Sequence, residues 1–178
     1  MLDNKEIEVK ILEIDEKRFL NKLQEIGASF IKKQYFKRYV FDTIPQRKGA
    51  WIRLRTDGKD STLTLKEIEH DGIDGTKEFE TKIDDFNTTL QILEKSGFKS
   101  HGYQENTRVL YRWGPVEISI DSWPGLPTYA EVEGPTRELV ESTIEKLGYT
   151  QKDLTSENTE KIYARYGIDI NTMPVLKF

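Results

Sequence analysis

The sequence contains no cysteine and only two histidines among its 178 residues. Without cysteine there are no disulfides, thiolate metal sites or cysteine nucleophiles, which suits a reducing cytoplasm. His70 and His101 stand apart in polar, turn-like surroundings, with no partner at metal-ligand spacing, and both are expected on the surface. No apolar run approaches the roughly 18 residues needed to span a bilayer. The N-terminal MLDNKEIEVK is charged almost from its start, so a soluble, unexported, cytoplasmic protein without membrane partners is expected. A basic excess is also missing. The 27 basic and 31 acidic residues give a formal net charge of -4, which argues against binding long nucleic acid through its phosphates. Linkers and low-complexity segments are absent, and one domain over residues 1–178 is expected.

What the chain has in abundance is charge, at 33% of residues, arranged with strict parity. In EIEVK, Glu6, Glu8 and Lys10 alternate with Ile7, Val9 and Ile11, so an extended strand carries the charges on one face and the apolar residues on the other. The pattern recurs. Arg53 and Arg55 oppose Ile52 and Leu54; Thr62, Thr64 and Lys66 oppose Leu63 and Leu65; Glu78, Glu80 and Lys82 oppose Phe79, Thr81 and Ile83. Glu117, Ser119 and Asp121 oppose Val116, Ile118 and Ile120, and Glu131 and Glu133 share a face in TYAEVEG. TRVLYRW carries Arg108 and Arg112 around Leu110, while the parity of QYFKRYVFD (34–42) does not fix which face turns inward. These segments make about eight antiparallel strands.

Four amphipathic stretches predict helices. Residues 15–30 place Phe19, Leu20, Leu23 and Ile26 on one face between a candidate cap at Asp15 and a stop at Gly27. Residues 84–98 repeat this with Phe86, Leu90 and Leu93 before Gly97. Residues 135–149 do so with Leu139, Val140, Ile144 and Leu147 before Gly148, Pro135 suiting the first turn. Residues 156–167 form the fourth, and the tail 168–178 gives no clear signal.

An antiparallel sheet of this size tends to close and so remove its edges. The amphipathic helices would then cover the apolar face from outside, leaving the charged face to line the interior. The expected fold is therefore α+β: an eight-stranded antiparallel closed β barrel, a tunnel with a charged interior and helices packed on its outside. Buried acids and bases in near balance need an occupant. A polyanion with divalent cations meets that need, since carboxylates hold Mg²⁺ or Mn²⁺ while lysine and arginine hold phosphoryl oxygens.

Taken in order, Glu6, Glu8 and Lys10, the Arg53/Arg55 pair, Lys66 after Leu-Thr-Leu, Glu78 and Glu80, Arg108, Glu117 with Asp121, and Glu131 with Glu133 resemble the CYTH domain family, the triphosphate tunnel metalloenzymes, over about residues 4–165. The resemblance implies an eight-stranded tunnel and a small-molecule triphosphate substrate with Mg²⁺ or Mn²⁺. Asn106 departs from it, since the family often has a lysine two residues before the arginine matched by Arg108. SWPGLP, with Trp123 and Pro124, looks like a family turn.

The resulting expectation is a divalent-metal-dependent triphosphatase hydrolysing tripolyphosphate, a nucleoside triphosphate or another organic triphosphate such as thiamine triphosphate. Glu6, Glu8, Asp121, Glu131 and Glu133 are the expected metal ligands or their supports. Lys10, Arg53, Arg55, Lys66 and Arg108, with Glu78 and Glu80, form the expected substrate site, and Glu117, Lys10 and Lys66 the catalytic set. The alternatives are a class IV adenylyl cyclase releasing cyclic AMP and pyrophosphate, and a non-catalytic triphosphate-binding module. Monomer and homodimer both remain open.

Overall fold

The computed structural model describes residues 5–70 and 72–178. The first four residues of the charged N-terminus lie outside the described residues. In chain order the strands are β1 (Lys5–Glu6), β2 (Glu8–Ile11), β3 (Ser29–Asp42), β4 (Ala50–Thr56), β5 (Ser61–Ile68), β6 (Thr76–Ile83), β7 (Ser100–Trp113), β8 (Val116–Ser122), β9 (Tyr129–Glu133), β10 (Leu154–Thr155) and β11 (Val175–Leu176). The helices are α1 (Glu16–Glu25), α2 (Phe86–Lys95), α3 (Arg137–Leu147) and α4 (Thr159–Arg165). No described helix is long and apolar enough to cross a membrane.

The strands form one eleven-stranded sheet, and it is not a closed barrel. Its hydrogen-bonded path runs β1-β6-β5-β4-β3-β7-β8-β9-β2-β10, antiparallel throughout, with β11 added in parallel to β7. This corrects the expected eight-stranded closed tunnel. The reason lies at the N-terminal strand, which is broken at Ile7. β1 pairs with β6 for two residues only, Lys5 with Lys77 and Glu6 with Thr76. β2 then pairs with β9 on one edge, and its other edge, which closure would have given to β6, is taken by β10. The Glu8 N–H goes to the carbonyl of Ile73 in the β5–β6 loop instead of to a strand (3.0 Å).

The inside-out distribution of charge does hold. α1 and α3 pack on β2, β8 and β9 through Phe19, Leu23, Val140, Ile144 and Leu147 against Val9, Ile11, Val116, Ile118, Ile120, Ala130 and Val132. α2 covers β3 and β4 through Leu93 against Phe41 and Leu54. These are the apolar faces read from alternation, and covering them leaves the charged faces together on the sheet's other side.

Helix starts follow side-chain caps. Asp15 accepts from the Arg18 N–H as expected, whereas α2 is capped by Asp85, α3 by Thr136 and α4 by Asn158. Pro135 therefore precedes the α3 cap and lies outside its first turn. Gly148, at φ 85°, ends α3 in the left-handed conformation that glycine adopts without strain.

The tail, silent in sequence, packs. Its β11 runs beside β7, and a Cβ at Gly102 would stand 2.7 Å from the Met173 carbonyl oxygen, so only glycine admits the tail this closely. Ile170 and Leu176 join Trp123, Tyr129 and Tyr163 in a separate apolar cluster.

Ile118, fully buried under the helices, should cost about 2–5 kcal/mol when changed to Ala. Phe79→Ala, at an exposed site on β6, should cost less than about 0.5 kcal/mol. Urea unfolding of the two variants measures the difference, and equal losses would misplace the core.

Candidate metal and polyanion site

On the charged face, β2 and β9 bring three carboxylates together. Glu8 stands opposite Glu133 in the ladder and Lys10 opposite Glu131. Glu8, Glu131 and Glu133 each offer an oxygen within 4.8 Å of the others. Lys10 Nζ bonds Glu8 at 2.6 Å and Glu131 at 3.3 Å. Glu133 has no ion pair among the described residues. Burial, then the neighbouring Glu131 and Glu8, push its carboxyl up to about 7. Glu131 lies well below the usual carboxylate range, because Arg108 and Lys10 outweigh the opposing effect of its burial. A triad of hard oxygen donors that repel one another fits Mg²⁺ or Mn²⁺ by its chemistry.

Asp121 and Glu6, expected as metal ligands or their supports, are engaged by cations of the same face. Asp121, with no exposed surface, receives Arg108 through two bonds, Nε to Oδ1 at 2.9 Å and Nη2 to Oδ2 at 2.8 Å. It also accepts from Ser119 (2.9 Å), and Arg108 continues to Glu131 (2.9 Å). Asp121 therefore aims Arg108 at the triad. Glu6 bonds Lys66 Nζ (2.9 Å), which also pairs with Glu78 (2.5 Å). Burial, then the hydrogen bond with Glu78, raise the proton affinity of Glu6 against the pull of Lys66.

The cations form a bank on β4, β5 and β7. Arg53 bonds Glu78 (2.7 Å) and Glu80 (3.3 Å), and Arg55 lies 3.6 Å from Glu80. Glu78 and Glu80 thus hold Arg53 and Lys66 in place. The sheet curls enough that Lys66, on β5, lowers the proton affinity of Glu131 and Glu133 on β9. Glu117 lies at the rim, opposite Glu133 in register and 2.5 Å from Arg112.

Sequence reasoning missed Arg38. The unassigned strand turns Gln34, Phe36, Arg38 and Val40 to the charged side, because Arg38 pairs with Arg55 and Val40 with Arg53 in the β3–β4 ladder. Arg38 donates to Asn106, the position that departs from the family pattern, and stacks 4.5 Å from the Trp123 ring. Burial and the neighbouring Arg53, Arg55 and Arg108 lower its proton affinity well below that of an ordinary arginine. His101, expected on the open surface, is half-buried and lies 3.1 Å from Asp42. His70 is exposed as expected.

The raised Glu6 and Glu133 set a pH dependence. Both bind protons more tightly folded than unfolded, so stability falls as pH rises from about 4.5 through about 7 for Glu133, with Glu6 adding to the fall in the same direction. The depressed Glu78 and Glu131 act oppositely, their contribution being lost as pH falls below 4.5. Metal-free protein should therefore melt at a higher temperature at pH 5 than at pH 8, and millimolar Mn²⁺ should narrow the gap by restoring pH 8. A flat thermal profile between these values would mean that both carboxyls ionise normally.

The family model for the CYTH domain matches residues 4–163. A Methanocaldococcus jannaschii protein named "Putative adenylate cyclase" is 30% identical over 132 residues, 72% of this chain and 75% of that protein. Among solved structures, a Pyrococcus horikoshii protein superposes with TM-score 0.77 at 20% identity, covering 86% of this chain and 96% of its own. A Hippeastrum protein described as having a dominant triphosphatase activity superposes with TM-score 0.63 at 19% identity, covering 91% and 96%. These structural likenesses speak for the fold; the family model and the 30% relative speak for descent. The chain belongs to the CYTH domain family.

Proposed function

We propose that the protein is a divalent-metal-dependent phosphohydrolase acting on a triphosphate held against the charged face. The observation that carries this reading is the meeting of a carboxylate triad, Glu8, Glu131 and Glu133, in which Glu133 has no ion pair among the described residues, with a bank of buried cations on the same face. Only a ligand bearing both metal and negative charge relieves both at once.

Glu8, Glu131 and Glu133 would hold Mg²⁺ or Mn²⁺, which supplies charge neutralisation at the phosphoryl oxygens and a more acidic attacking water. Lys10, bridging Glu8 and Glu131, places its ammonium beside the triad. Arg108 is fixed by Asp121, and Arg53 and Lys66 by Glu78, so these cations are oriented before a substrate arrives. Preoriented cations stabilise the charge spread over the transferred phosphoryl group without reorganising during reaction. Arg55, beside Glu80, adds to the same bank. Glu117, opposite Glu133 in register and paired with Arg112 at the rim, would take the proton from the attacking water and pass it to solvent. Glu6 keeps Lys66 aimed inward.

The Methanocaldococcus jannaschii relative, named as an adenylate cyclase, favours a second reading, in which a ribose hydroxyl replaces water and ATP yields cyclic AMP. Product analysis separates the two. With Mn²⁺ or Mg²⁺ and tripolyphosphate, orthophosphate should accumulate, and Glu8→Gln should slow it by about 100-fold or more. Cyclic AMP and pyrophosphate from ATP, without orthophosphate, would replace the hydrolase with a cyclase. Tight binding without any product would leave a binding module.

A further inference from the structure

Arg38 and Arg55 stand directly opposite one another in the β3–β4 ladder, an arrangement that costs stability when nothing lies between the charges. Arg55 leans on Glu80, but Arg38 has no carboxylate partner among the described residues. It is buried, its guanidinium stacked on Trp123 and one nitrogen donating to Asn106.

A second observation concerns hydrogen bonding. Buried polar atoms almost always have partners. Among the described residues the buried side-chain atoms without one are Arg38 Nε, Arg53 Nε, Thr62 Oγ1 and Trp123 Nε1. All four belong to this end of the sheet. Arg53 and Arg55 neighbour Arg38, Thr62 faces Arg55 across the β4–β5 ladder, and Trp123 carries the Arg38 stack. Every one of them can donate. Behind Trp123 the cluster of Tyr129, Tyr163, Ile170 and Leu176 backs this end with apolar side chains, and Tyr163 is itself tied to the Pro124 carbonyl (2.7 Å).

We propose that Arg38, backed by Trp123 and steadied by Asn106, takes the terminal phosphoryl group of a linear triphosphate, so that the protein distinguishes three linked phosphoryl groups from two. The inference rests on the triphosphate reading above and adds the substrate's direction: the free phosphoryl end lies at Arg38 and the metal-bearing part at Glu8, Glu131 and Glu133. A terminal phosphoryl supplies several acceptor oxygens and a negative charge to unpaired donors in a sheltered site. Any nucleoside or other organic group on the substrate then extends away from the Trp123 end. Asn106, where the family often has lysine, becomes the holder of a cation that β3 supplies instead.

The test is calorimetric titration of tripolyphosphate and diphosphate, each with Mg²⁺, into wild type, Arg38→Gln, Arg38→Lys and the rim control Arg112→Gln, after thermal melts establish folding. Wild type should prefer tripolyphosphate. Arg38→Gln should weaken tripolyphosphate binding by about 10- to 100-fold while leaving diphosphate nearly unchanged, Arg38→Lys should recover part of the loss, and Arg112→Gln should move neither. Equal losses for both ligands, or none, would overturn the assignment while leaving the triphosphate reading intact. If wild type binds neither polyphosphate, that reading fails. Stabilisation of wild type by orthophosphate, lost in Arg38→Gln and kept in Arg38→Lys, would then still support an anion site at Arg38, and its absence would overturn both.

Discussion

Placing like charges side by side away from water costs free energy that the rest of a fold must offset, and this protein does so twice on one face of one sheet. Glu8, Glu131 and Glu133 converge at β2 and β9, and Arg38, Arg53 and Arg55 converge at β3 and β4. Neither group is fully neutralised from within: among the described residues Glu133 has no ion pair and Arg38 no carboxylate partner. Packing maintains the arrangement, since the helices cover the opposite face with a continuous apolar layer and leave the charged side chains no alternative direction. A one-residue slip of any of these strands would put the charges under the helices and the core in their place.

Between the two poles lies a connected lattice. Lys10 bridges Glu8 and Glu131, Arg108 bridges Asp121 and Glu131, and Lys66 bridges Glu6 and Glu78. Breaking one partner of such a buried set strands the other, so these residues contribute more to orientation than to net stability. The expected ligands Glu6 and Asp121 belong to this lattice. In the proposed function both act through the cations they aim, Lys66 and Arg108.

Parity made most of the face legible, because the strands around EIEVK, LRTDG, EISID and YAEVE each keep their aliphatic side chains on one side and their charges on the other. Arg38 escaped because its strand has no such contrast. Inward Gln34, Phe36, Arg38 and Val40 alternate with outward Tyr35, Lys37, Tyr39 and Phe41, and each set mixes polar with apolar. The open sheet escaped for a different reason. Closure is prevented by β10, a two-residue strand at Leu154 and Thr155, and by the carbonyl of Ile73, and backbone contacts of that size leave no periodic trace. The packing of the tail depends on Gly102 admitting a neighbouring chain, which a lone glycine does not announce. The helix caps were legible to within a few residues, since several capping residue types crowd each start.

The most direct test of the central claim, that the carboxylate triad is built for a divalent cation, is anomalous diffraction at the manganese edge from crystals equilibrated with Mn²⁺. The account predicts a peak bounded by Glu8, Glu131 and Glu133 that disappears in Glu133→Gln. A peak at Glu6 or Asp121 instead, or none on the charged face at saturating Mn²⁺, would contradict it.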